Sequence, residues 1–225
     1  MGIYFELLIL YIILFFSGSA GAFLFAAQSE AAGFSVASEL IKIFLYCIPS
    51  LALIWYLLLK AKPARRWDIK PGKKDLISGF ITLPCLLITG FTVAFVSSYA
   101  GGNLSGGTPA QMPLYSPSTG LEWGVLCFSC IAAAYLEESF FRFYILSRRD
   151  DMRLGAIPAL MVSVTLFSIC HIYEGSWGFL NAVLSGTFLC LIFLRYQAYH
   201  GIAVAHGLYN IAVYAINAFI TNQAG

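Results

Sequence analysis

Two adjacent carboxylates, Glu137 and Glu138, and a guanidinium, Arg142, lie within the otherwise apolar stretch Ala132–Arg149. Charge in a hydrocarbon core costs about 2.5–3.5 kcal/mol per group on insertion scales, so three such groups within two helical turns point to a task. Residues four apart share a helix face, which stacks Glu138 on Arg142 as an ion pair. Glu137, rotated by about 100° from its neighbour, points to an adjacent face and is left free to hold a proton or a water. Two of the three histidines, His171 and His206, lie inside later apolar stretches, and Asn210 follows His206 by one turn. The third, His200, reads as a solvated loop residue. One base with several hydrogen-bond donors is what peptide hydrolysis needs: an activated water and donors for the oxyanion. On this reading a histidine orients the water, while His206 and Asn210 face the oxyanion.

The elements that must carry these groups are membrane helices. Of the 225 residues 60% are hydrophobic and only 11% charged, where a soluble domain is nearer a quarter charged, and the mean hydropathy is +0.80. The apolar runs have the length of helical spans rather than of alternating barrel strands, so the fold class is an all-α polytopic membrane helix bundle. Seven spans can be drawn: Ile3–Ala27, Leu40–Leu59, Leu76–Tyr99, Leu121–Ser147, Ile157–Tyr173, Trp177–Tyr196 and Ile202–Thr221. Three of them, with an outer loop, make an amino-terminal part over 1–120, and four make the polar-bearing core over 121–225. Pro49 and Pro84 are expected to kink the second and third spans. The first span is read as retained, although Ser17-Gly18-Ser19-Ala20 offers a weak cleavage motif.

Charge asymmetry orients the bundle. Of the 13 basic residues, all but Lys42 and the intramembrane Arg142 fall in the connections after spans two and four or, as Arg195, at the end of span six. The positive-inside rule then puts the amino terminus in the cytoplasm and the carboxyl terminus outside, in a multi-pass protein of a bacterial inner membrane. The connection 60–74 carries seven basic residues and reads as a topogenic, lipid-facing loop. The loop 100–120 is rich in Gly, Ser, Thr and Pro and includes a formal sequon at Asn103. No basic patch interleaved with aromatics is present, which argues against nucleic acid as a partner. The six cysteines all fall in apolar runs, and Cys127-x-x-Cys130 is read as packing rather than metal or redox chemistry. In the sixth span Gly178, Ala182, Gly186 and Cys190 form a small-residue ridge suited to close helix approach.

Three motifs then stand in order: Glu137-Glu138-x-x-x-Arg142, Phe167-x-x-x-His171 and His206-x-x-x-Asn210. Together they resemble the CPBP family, which includes type II CAAX prenyl endopeptidases and bacterial Abi proteins, over about Leu121–Asn222. The resemblance implies an intramembrane endopeptidase acting on a peptide or protein with a membrane-embedded or lipidated segment. By motif position it makes Glu137 the general base, Glu138 and Arg142 its supporting pair, His171 a water-positioning group, and His206 with Asn210 the oxyanion donors. It implies no required cofactor. The metal alternative is zinc held by Glu137, His171 and His206, against which stand the lack of HExxH and the poor ligand quality of an Asn amide. Two other classes compete: a non-catalytic scaffold or immunity protein whose polar cluster fixes packing, and a transporter or proton relay. The second lacks any visible inverted repeat.

Overall fold

The computed structural model describes residues 2–16, 34–63, 69–104 and 117–224, with 101–104 and 221–224 as backbone only. Helix α1 (Ile3–Tyr11) runs on as a π-helical stretch, Ile12–Phe16. Helices α2 (Val36–Ala61), α3 (Lys73–Leu104), α4 (Gly120–Ser147), α5 (Ala156–Cys170), α6 (Gly175–Tyr196) and α7 (Tyr199–Ala224) follow. Among the described residues the fold is entirely helical, as the composition requires. Five helices, α2, α3, α4, α6 and α7, are long and apolar enough to cross a membrane. The apolar stretches of α1 and α5 are shorter, 10–17 residues. The second half of the first expected span, the Ser17–Ala20 motif, Arg65 and Arg66, and the Asn103 side chain lie outside the described residues. Helix α3 extends through Leu104, five residues past the span end expected at Tyr99.

Helix α4 starts where local chemistry sets it. The Thr119 hydroxyl accepts from Glu122 N (3.3 Å), and the Glu122 carboxylate accepts from Thr119 N (3.2 Å), closing a capping box. It is also the centre of the bundle. Half of its apolar window is buried, against 22% for α2 and α3, whose outer faces are free for lipid. Tyr11 and Phe15 of α1 pack on Phe140 and Phe141 of α4, and the same core takes in Cys47, Ile54 and Leu58 of α2. The core thus crosses position 120 and joins both parts of the chain.

Pro49 stands where the winding of α2 changes. The turn before it, Lys42–Cys47, is wound as a π-helix, and the α-helical winding resumes with the proline at its first positions. A π turn accommodates a missing donor by widening, which is how the proline is absorbed. A second tie holds α1 to the end of α4. Arg148 Nη1 donates to Glu6 Oε1 (2.6 Å), Tyr144 OH donates to the same oxygen (2.5 Å), and Arg148 Nε donates to Asp151 (2.9 Å).

Candidate active site

The centre of the site is a break in winding. Glu137 ends the α-helical part of α4, and Glu138–Tyr144 forms a π-helix. A widened turn re-aims side chains and is common at functional positions. Glu138 and Arg142 are fully buried, with Arg142 Nη1 3.0 Å from Glu138 Oε1. His206 Nδ1 lies 2.8 Å from the same oxygen. A carboxylate oxygen flanked by a guanidinium takes the proton from Nδ1, so His206 donates through Nδ1–H and turns Nε2 outward. Arg142 is held from the far side as well. Its Nη2 donates to Gly186 O (3.5 Å), and its guanidinium carbon lies 4.3 Å from the Phe167 ring centroid.

Glu137 is different. Its side chain is 23% exposed where that of Glu138 is sealed. Glu137 Oε2 lies 3.7 Å from His206 Nε2, beyond a direct hydrogen bond, and has no hydrogen-bond partner among the described residues. The α7 helix brings His206 this close because Gly207 leaves room: a Cβ there would stand 2.5 Å from Ile131 Cδ1 and 3.0 Å from Ile131 Cα of α4.

His171 is not inside a helix, as the sequence reading had it, but at the carboxyl-terminal cap of α5. The helix stops short because a 3-10 turn, Ile172–Glu174, and a left-handed Gly175 (φ 81°) reverse the chain into α6. The His171 ring is fixed by Nδ1–H donating to Phe167 O (2.8 Å). Its centroid lies 4.5 Å from that of Phe167, which lies 6.1 Å from that of His206. Phe167, the first residue of the second motif, is therefore the spacer between the two histidines. Asn210 sits half-buried on α7, and among the described residues no hydrogen bond ties it or His171 to the glutamates. The structure brings together Glu137, Glu138, Arg142 and His206; His171 joins them through Phe167.

Two residues escaped the sequence reading. Glu174, set there in an outer connection, has its carboxylate within electrostatic reach of both His171 and Glu137. Its side chain folds over Gly178, where a Cβ would stand 2.9 Å from Glu174 Oε2. His200 is not a solvated loop residue but the second residue of α7. Its Nε2 donates to Ile69 O (2.7 Å), and its Nδ1 pairs with the Tyr135 hydroxyl (3.0 Å) two residues before Glu137. Only the Tyr135 spacing from Glu137 hinted at this in the sequence, and nothing there pointed to Ile69.

Asn181, read as interhelical glue, donates to the Tyr209 hydroxyl across α6 and α7 (3.2 Å). The ridge on α6 does face its neighbours: a Cβ on Gly186 would stand 2.9 Å from Phe167 Cδ1, and Cys190 lies 3.3 Å from Ser163 Oγ. Among the described residues no group of three or more His, Cys, Asp or Glu side chains is placed to hold a metal ion. Phe167 packs against the rings of both His171 and His206, and Glu138 occupies one nitrogen of His206.

Comparison with known families adds an independent line. A family model described as type II CAAX prenyl endopeptidase Rce1-like matches residues 119–212. No curated protein and no solved structure matches the chain. The matched stretch runs from the capping box of α4 past Asn210 and contains all three motifs. Over residues 119–212 the chain is similar to the Rce1-like type II CAAX prenyl endopeptidases.

Proposed function

We propose that this protein is an intramembrane endopeptidase that hydrolyses a peptide bond of a membrane-embedded or lipidated substrate with a water activated by Glu137. One observation carries the assignment. Glu138 is sealed, its Oε1 taking both Arg142 and His206, whereas Glu137 is 23% exposed and makes no such pair, its partnerless Oε2 standing 3.7 Å from His206 Nε2. A water beside that pair touches both atoms, a spacing at which water bridging is the ordinary solution. Attack of this water on the scissile carbonyl sends its proton to Glu137. The oxyanion meets the Asn210 amide and, when the His206 ring carries a proton on both nitrogens, a donor from Nε2; collapse returns the proton from Glu137 to the leaving amine. His171, braced by Phe167 O, packs on the Phe167 ring that His206 also contacts. The match to the Rce1-like model supports a lipidated, CAAX-type substrate, and the sealed Glu138–Arg142 pair supports catalysis over mere helix glue, since glue needs no open carboxylate beside it.

The test is cleavage of a membrane-peptide library by purified protein in detergent or liposomes. Glu137→Gln is expected to abolish cleavage and leave the fold intact; a variant that cleaves as well as the native chain would sink the assignment. Exhaustive chelation is expected to leave activity unchanged, and activity lost to chelation and restored by zinc would transfer the water to a metal.

A further inference from the structure

The basic end of the bundle contains a second feature, lined by none of the residues of the candidate site. A cavity of about 300 Å³ is lined by Lys70, Lys73 and Lys74 around the Pro71–Gly72 turn, with Asp75 and, from the α6–α7 connection, Gln197. All three lysines are exposed, and among the described residues neither Lys73 nor Lys74 enters an ion pair. The one carboxylate in the lining is turned inward. Asp75 Oδ2 accepts from Gly72 N and Oδ1 from Gly201 N, each at 2.9 Å. The field in the cavity is therefore that of the ammonium groups.

Its surroundings are those of a membrane boundary. Ile69, Leu76, Ile77 and Phe80, which flank the lysines along the chain, are exposed apolar side chains, Phe80 at 79%. Their exposure places acyl chains against the first turns of α3 and the lysine ammonium groups at headgroup level, where long cationic side chains settle.

The cavity is also rigidly founded, which lysines that act only in setting topology do not require. Ile69 O is fixed by His200, whose ring is fixed by Tyr135, and Asp75 bolts the turn to Gly201. Helices α3 and α7 approach closely here: a Cβ on Gly79 would lie 3.3 Å from Gly201 O. A cationic cavity with a fixed backbone at headgroup depth matches a phosphodiester carried on two acyl chains. We infer that this cavity binds the headgroup phosphate of an anionic phospholipid. The lipid is thereby held on the same residues that brace the start of α7, the helix of His206.

Native mass spectrometry of the full chain reads this directly, after reconstitution in equal parts of phosphatidylglycerol and phosphatidylcholine. It needs no peptidase activity, so its failure leaves the proposed function standing. The native chain is expected to retain phosphatidylglycerol about tenfold over phosphatidylcholine. Lys73→Gln with Lys74→Gln is expected to bring the two lipids to parity, while Lys60→Gln with Lys62→Gln, which removes equal charge outside the cavity, keeps the preference. The inference is overturned if the Lys73/Lys74 variant keeps the preference, if the Lys60/Lys62 variant loses it equally, or if millimolar inorganic phosphate displaces the lipid, which would make the site one for free anions.

Discussion

Glu137 and Glu138 stand next to each other in the chain, yet they meet opposite surroundings. Glu138 has traded solvent for Arg142 and His206, and breaking such a buried pair from one side leaves an uncompensated charge worth about 3–5 kcal/mol. Arg142→Met is therefore expected to lower thermal stability sharply in a detergent melt. Adding Glu138→Gln to it should recover much of the loss, because the stranded charge is then gone. Activity should not return, since a neutral amide oxygen, without Arg142 to fix it, aims the His206 ring less firmly than the carboxylate does. Glu137→Gln belongs to the other class. It removes a base that supports no fold contact, so cleavage should fall by about 10²–10⁴-fold with an unchanged melting temperature.

At the scale of the element, α6 acts through what it lacks. Gly186 lets Phe167 and Arg142 lie against the helix backbone, and a Cβ there meets Phe167 at 2.9 Å and Arg142 Nη2 at 3.5 Å. Gly186→Ala should cost about 1–3 kcal/mol as an overpacked core position and should lower turnover, because Phe167 spaces the two histidines. Gly124, on an exposed face of α4 with nothing within 4 Å of its would-be Cβ, is the control. Gly124→Ala should stabilise α4 by up to about 1 kcal/mol and leave turnover alone. Both substitutions are read from paired melts and progress curves. The exposed apolar residues of α3, by contrast, meet the bilayer and offer no such lever.

At the scale of the whole molecule, α1 lies outside the matched stretch 119–212 and still holds the core together. Tyr11 OH donates to Leu166 O (3.1 Å) and accepts from Cys170 Sγ (3.4 Å), immediately before His171. Glu6 ties the other end of α1 to Arg148. Glu6→Gln should cost about 1.5–3 kcal/mol, the range for a hydrogen bond to a charged group, measured by denaturation in micelles. Hydropathy made the helical class and the positions of the long helices legible. The spacing Glu138–Arg142 and the order of the motifs identified the groups that meet, because an i,i+4 pair survives the widened turn. What stayed hidden depends on contacts between helices. His200 pairs with Ile69, which is 131 residues away, and no periodicity encodes that. The cap at His171 depends on a turn reversed at Gly175, and apolar composition runs on through it without a break.

The π-helical winding carries a consequence for how the molecule is built. Slipping from i,i+4 to i,i+5 bonding frees main-chain carbonyls, and in two of the three π stretches a carbonyl is capped by a side chain from another helix. Phe141 O accepts from Ser163 Oγ of α5 (2.6 Å), and Leu14 O of α1 accepts from Tyr46 OH of α2. The register of α4 is thus settled by its neighbours and not by its own sequence. A peptide of α4 alone in a micelle would wind as a plain α-helix, with Arg142 and Glu137 at other azimuths. The geometry of the proposed site therefore arises late, as a product of helix docking after insertion, and the freshly inserted helix does not yet hold Glu137 beside His206.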